Sequence, residues 1–151
     1  MIAVDTNILV YAHRGDSPHH DRASAALKVC AQSRQDWCIP WPCIHEFFAV
    51  VTHLRISSPP APPENAIDQI NAWLESPSLV LLGETDTHWP TLQALLAKAR
   101  TVGPAVHDAR IAALCLQHGV REIWSADRDF RSFSGLKVVN PVGTRTKKPA
   151  G

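Results

Sequence analysis

Asp5, Glu46, Asp108 and Asp127 are the residues of this chain whose types and spacing best fit chemistry. Asp5 ends the apolar run Ile2-Ala3-Val4, and Asp127 follows a second run, Ile123-Trp124-Ser125-Ala126; Glu46 and Asp108 fall near the starts of helix-like segments. Open parallel sheets bind ligands beyond the carboxyl ends of their strands, so acids far apart in sequence can converge there. Carboxylates gathered in one crevice repel one another, and a hard divalent cation with oxygen ligands is the simplest way to hold them. With one or two Mg²⁺ ions such a cluster meets the needs of phosphodiester hydrolysis: an activated water, a neutralised phosphate and a stabilised leaving oxygen. Mn²⁺ accepts the same oxygen ligands and is expected to substitute.

Each acid also has an ordinary explanation. Asp5 suits a turn, and the Thr6-Asn7 that follows offers small polar groups able to bond a carboxylate or a bound water. Glu46 fits the exposed face of an apolar helix. Asp108 fits a helix N-cap, where its charge complements the dipole. Asp127, with Asp129 as a possible helper, fits a turn after a strand. What the separate explanations leave out is the joint placement: an acid at each of four element ends in one small sheet. The cations able to meet a polyanion near these acids are Arg14, Arg110 and Arg128, with His13 and Arg131 behind them and Lys147 and Lys148 more remote. His19-His20-Asp21 is expected to be a solvated turn, since adjacent imidazoles at a helix start point in different directions and do not make a metal site.

The elements that must position these residues alternate between short apolar runs and amphipathic stretches, the pattern of an α/β sheet with helices on its faces. Strands are expected at 2–4, 37–39, 79–82, 122–125 and 137–139, and helices at 21–33, 43–54, 64–75, 89–99 and 107–117. The proline-rich segment 57–63 is too short of structure on its far side to be a linker and reads as a long surface loop. Gly103-Pro104 breaks the chain before the helix that carries Asp108, and Gly119 closes that helix. One domain over 1–142, with a central mostly parallel sheet, and a basic, frayed tail over 143–151 account for the whole chain.

Composition agrees with a single globular domain: 151 residues, 45% hydrophobic, with fifteen Lys and Arg against fourteen Asp and Glu. A net charge of +1 rules out a whole-protein field for a polyanion, so any nucleic-acid site is a local patch. No apolar run nears the roughly 20 residues of a membrane helix, and the start lacks the basic leader of a signal peptide, so a cytoplasmic place is expected. Cys30, Cys38, Cys43 and Cys115 form no C-x-x-C pair and are expected as buried free thiols.

The stretches Val4-Asp5-Thr6-Asn7-Ile8-Leu9-Val10-Tyr11-Ala12, His45-Glu46-Phe47, Val106-His107-Asp108-Ala109-Arg110-Ile111-Ala112-Ala113 and Ser125-Ala126-Asp127-Arg128-Asp129-Phe130 resemble a PIN domain, and more narrowly a VapC-type ribonuclease toxin of a type II toxin-antitoxin pair. The resemblance runs from Met1 to about Val142. It implies that Asp5, Asp108 and Asp127 hold metal and that Glu46 orients or deprotonates the attacking water. Thr6, Asn7, Ser125 and Asp129 would then be supporting residues. It also implies an RNA substrate of the transfer or ribosomal class, a VapB-like antitoxin that plugs the acidic crevice, and a homodimer. Trp124 is bulkier than such domains lead one to expect and would reshape the pocket rim.

Two rival readings use the same residues. A dehalogenase-like phosphatase would need a second Asp at position 7, where this chain has Asn7. A PIN-like module that binds RNA or protein without cutting would be expected to have lost a ligand acid, and all four are present.

Overall fold

The computed structural model describes residues 1–143; the basic tail 144–151, with Lys147 and Lys148, lies outside the described residues. Five strands form one sheet in the order β3-β2-β1-β4-β5: β1 (Ile2–Val4), β2 (Trp37–Pro40), β3 (Leu79–Leu82), β4 (Glu122–Trp124) and β5 (Lys137–Val139). Every pairing is parallel, where the sequence led us to expect a mostly parallel sheet. The chain builds β2 and β3 on one side of β1 and β4 and β5 on the other, so the connections leaving β1 and β4 diverge. A crevice opens at such a switch point, beyond the strand ends.

The helices are α1 (Thr6–His13), α2 (His20–Gln32), α3 (Trp41–Val51), α4 (Pro63–Leu74), α5 (His88–Ala99) and α6 (Val106–Gln117). Short 3₁₀ turns, Gly103–Ala105 and Arg128–Ser132, lead into α6 and follow β4. α3 starts with Pro42 in its first turn, where a missing N–H costs nothing, and buries Cys43, Ile44, Phe47 and Val51 along one stripe. It stops at Thr52, whose hydroxyl donates to the Phe48 carbonyl at 2.7 Å. Phe47 ties three helices together: its ring meets Trp73 of α4 at 4.7 Å and His13 of α1 at 5.3 Å. Burying that one side chain contributes about 2–3 kcal/mol. α6 is buried on most of its circumference, through Ala109 and the run Ile111–Cys115.

α1 is the element the sequence did not lead us to expect. Three β-branched residues and a tyrosine in eight positions give it little intrinsic helicity, and packing against α2 and α3 through Ile8 and Leu9 supplies what propensity does not. Other boundaries moved by a few residues, α3 most, because it begins directly after Pro40. The loop before α4 is pinned: the Ser57 hydroxyl donates to the Val50 carbonyl at 2.8 Å and the Ala61 N–H to the Val51 carbonyl at 2.7 Å. All four cysteines are free and buried, as expected. His20 and His19 are held by Tyr11, the first through its carbonyl at 3.1 Å and the second by ring contact at 4.8 Å, so the expected solvated turn is a packed one. No helix among the described residues is long and apolar enough to cross a membrane.

Candidate active site

Asp5 follows β1 directly and is 5% exposed. Its backbone N–H extends the β1–β4 ladder to the Trp124 carbonyl at 3.0 Å, which brings the two strand ends into register. Ser125 then stands beside it and donates to Asp5 Oδ2 at 2.7 Å. The same hydroxyl oxygen accepts from the Asp127 N–H at 2.9 Å and from Asn7 Nδ2 at 3.2 Å. Asn7 closes the circuit, its Oδ1 accepting from the Ala126 N–H at 3.1 Å and its Nδ2 reaching Asp5 Oδ2 at 3.3 Å. Thr6 turns the other way and donates to Glu46 Oε2 at 3.2 Å, which leaves Glu46 exposed at the rim with one oxygen held. Ser125, Asn7 and Thr6 thus each fix a carboxylate, as far as hydrogen bonds can.

Asp5, Glu46, Asp108 and Asp127 all line one cleft of about 280 Å³, together with Thr6, Asn7, Val10, Tyr11 and Val50. Among the described residues, one group of acids has ligand atoms within 4.8 Å of one another: Asp108, Asp127 and Asp129. Asp129 therefore stands in ligand range, while Asp5 forms the buried floor. Asp108 is the third residue of α6 and makes no cap bond; the 3₁₀ turn that precedes it moves the helix start back to Val106, so the capping role considered for it is not taken up. Asp127 does cap its turn, accepting from the Asp129 N–H at 2.8 Å. Trp124 lies outside the cleft, its indole N–H donating to Glu122 on the same strand at 3.2 Å, so it does not reshape the rim.

The electrostatics follow from this crowding. Burial, and then the charges of Asp127, Asp5, Asp129 and Glu46, push the Asp108 carboxyl up to about 6. Burial likewise raises Asp5, against the lowering effect of the Ser125 hydrogen bond. The donor set is all oxygen. No histidine lines the cleft, and the thiol nearest to it, Cys43, whose Sγ lies 3.6 Å from Asp5 Oδ1, is held protonated by burial and by the Asp5 charge. Carboxylates of this kind fit Mg²⁺ or Mn²⁺ and do not fit a soft or imidazole-seeking ion.

The cations separate into two kinds. Arg14 is bound to Asp16 at 2.8 Å and to the carbonyls of Pro59 and Ser58, and Arg110 to Glu84 at 3.1 Å. Two of the three arginines expected to meet RNA, Arg14 and Arg110, thus have partners within the protein. Arg128 is exposed and makes no side-chain hydrogen bond or ion pair with any described residue. Sequence reasoning missed Val10 and Tyr11 because it missed α1: once the helix is known, Asn7, Val10, Tyr11 and Arg14 follow the i, i+3, i+4, i+7 spacing of one face.

A five-stranded parallel sheet with acids gathered at its switch point is the architecture of a PIN domain. The chain belongs to the PIN-domain family, whose model matches residues 2–136, and its curated relatives are VapC ribonucleases. Ribonuclease VapC48 of Mycobacterium tuberculosis is 32% identical over 137 residues, covering 91% of this chain and 94% of the relative. Ribonuclease VapC37 of the same species is 33% identical over 141 residues, covering 93% and 97%. Two solved structures share the fold: VapBC2 from Rickettsia felis bound to a promoter DNA fragment, with TM-score 0.69, 17% identity and coverage of 93% and 98%, and Mycobacterium tuberculosis VapC20, a sarcin-ricin loop cleaving toxin, with TM-score 0.65, 15% identity and coverage of 91% and 99%.

Proposed function

We propose that this protein is a Mg²⁺-dependent endoribonuclease, the toxin of a toxin-antitoxin pair acting in the cytoplasm, and that its substrate is a structured RNA. The observation that carries this reading is the convergence of Asp5, Glu46, Asp108 and Asp127 on one cleft. Asp5, Asp108 and Asp127, with Asp129 beside them, would hold the ion. A bound divalent cation supplies an activated water and charge neutralisation at the phosphate. Glu46, exposed and steadied by Thr6, is placed to orient the attacking water or take its proton. Ser125 and Asn7 keep the Asp5 carboxylate turned into the cleft, and Arg128 is the first candidate to meet the RNA backbone.

Transfer or ribosomal RNA is the substrate class this reading favours; the relative VapC20 is described as cutting the sarcin-ricin loop. A VapB-like antitoxin would neutralise the enzyme by plugging the acidic cleft with a basic or otherwise complementary segment, and VapBC structures stand among the structural neighbours. A homodimer goes with the same family expectation. The test is cleavage of total cellular RNA by purified protein with Mg²⁺ or Mn²⁺, with EDTA, and with Asp108→Asn as the control against contaminating nucleases. Discrete fragments that vanish with EDTA and in the variant are expected. Fragments unchanged in Asp108→Asn would defeat the reading.

A further inference from the structure

α5 and α6 end in the same backbone motif. At the end of α6, Gly119 takes φ 75°, its N–H bonds the Leu116 carbonyl at 3.1 Å, and the Val120 N–H bonds the Cys115 carbonyl at 2.9 Å. At the end of α5 the equivalent bonds run from Arg100 to Ala97 at 3.4 Å and from Thr101 to Leu96 at 3.0 Å. The left-handed position there is held by an arginine, at φ 51° and ψ 44°. It is the one non-glycine residue with positive φ among the described residues. Glycine is the residue this motif favours, because a Cβ is strained there. The left-handed backbone therefore gives no reason for an arginine beyond its favourable charge at the helix end, and its side chain makes no hydrogen bond or ion pair with any described residue.

Arg100 lines an open cavity of about 390 Å³ together with Arg128, Asp129, Ser132 and Asp108. Asp108 is the wall this cavity shares with the acidic cleft. Two arginines thus border a cavity that adjoins the acids. Arg14, by contrast, is bound by Asp16 and two carbonyls, and Arg110 by Glu84. Asp129 also lies in the cavity, but its ligand atom groups with those of Asp108 and Asp127, so a cation held by the three would take up its charge. The arginines are then the uncompensated groups.

We propose that this cavity binds the backbone phosphate of a nucleotide next to the scissile one, with Arg100 and Arg128 as its two donors. The proposal rests on the ribonuclease reading above. It gives the RNA a direction across the protein, from the acidic cleft over Asp108 towards the end of α5.

The test is fluorescence anisotropy of a labelled 20-nucleotide hairpin RNA of mixed sequence, titrated over a range of KCl with Ca²⁺ in place of Mg²⁺. Arg100→Gly and Arg128→Ala are each expected to weaken binding about tenfold at low salt and to make the salt dependence shallower by about one unit of slope. Arg100→Lys, which keeps the charge but not the fork, should stay within about threefold of wild type. Thermal melting supplies the second readout: Arg100→Gly should melt no lower than wild type, because glycine suits the left-handed position. Wild-type binding with an unaltered affinity and slope in Arg100→Gly would overturn this inference and leave the ribonuclease reading standing. Failure of the wild type to bind the hairpin would count against both.

Discussion

Replacing Asp108 by asparagine should make the metal-free protein more stable, and the size of the gain can be worked from its surroundings. The carboxyl ordinarily ionises at 3.8 and in the folded protein is pushed up to about 6, first by burial and then by four neighbouring acids. The native state therefore binds a proton that the unfolded chain has already released between those two values. Stability falls as pH rises from about 4 to about 6, and above that the whole penalty of the charge remains. A shift of two units is worth about 3 kcal/mol. Asp108 is only partly buried, and solvent screening reduces this to about 1–2 kcal/mol. No described residue donates a hydrogen bond to its carboxylate, so the amide removes the penalty without breaking a contact. In EDTA at pH 7.5, Asp108→Asn should melt roughly 3–5 °C above wild type in a domain of this size. The gap should close towards pH 4. It should also close when Mg²⁺ is added, because an ion at ten times its dissociation constant stabilises wild type by about 1.4 kcal/mol and the variant by less. A variant no more stable than wild type at pH 7.5, or a gap that widens in acid, refutes the account of the cluster.

Ser125→Ala removes the 2.7 Å bond to Asp5 and takes an acceptor from the Asp127 N–H and from Asn7, so it should lower stability by about 1–3 kcal/mol and weaken Mg²⁺-induced stabilisation. A urea midpoint equal to that of wild type would show that the network holds without its hydroxyl. All four cysteines are buried, and burial pushes the thiols of Cys30 and Cys38 up to about 11 and about 12. Ellman's reagent at pH 8 should therefore leave the native protein unlabelled for minutes and count four thiols in guanidinium; immediate labelling of folded protein would contradict the packing of α2 and β2.

Asp5 and Asp127 were legible in the sequence because the apolar runs of β1 and β4 each give way to an acid, a signal that needs no knowledge of the helices, whereas Glu46 and Asp108 were found near the starts of helix-like segments. Asp5 and Asp127 are placed by β1 and β4, which periodicity finds. What lay between them was harder. Thr6–His13 has the composition of a strand continuing from β1, and it becomes helical because Ile8 and Leu9 find partners on α2 and α3. Without α1 there is no reason to put Tyr11 near Asp5, or to see that Arg14 is spent on its own loop. Arg100 was invisible for another reason. Nothing in the residue types around it announces a left-handed backbone, and only the backbone angle separates it from an ordinary surface arginine.

The carboxylates differ in how firmly they are held, and that difference bears on the proposed chemistry. Asp5 is buried, with Ser125 and Asn7 donating to one oxygen and the Cys43 thiol close to the other. Asp108 lies at the cleft wall with no donor among the described residues, and Asp129 is exposed. A small octahedral cation demands near-ideal geometry from ligands that have no cation between them in the free protein. Were all the acids held as firmly as Asp5, the repulsion that lifts Asp108 would have to be carried by the fold at all times. A fixed floor with a freer wall needs only Asp5 to be organised in advance, through a network built from two adjacent strand ends. Asp108 and Asp129 would then meet a bound cation from α6 and from the turn after β4, both of which also contribute to the arginine-bearing cavity.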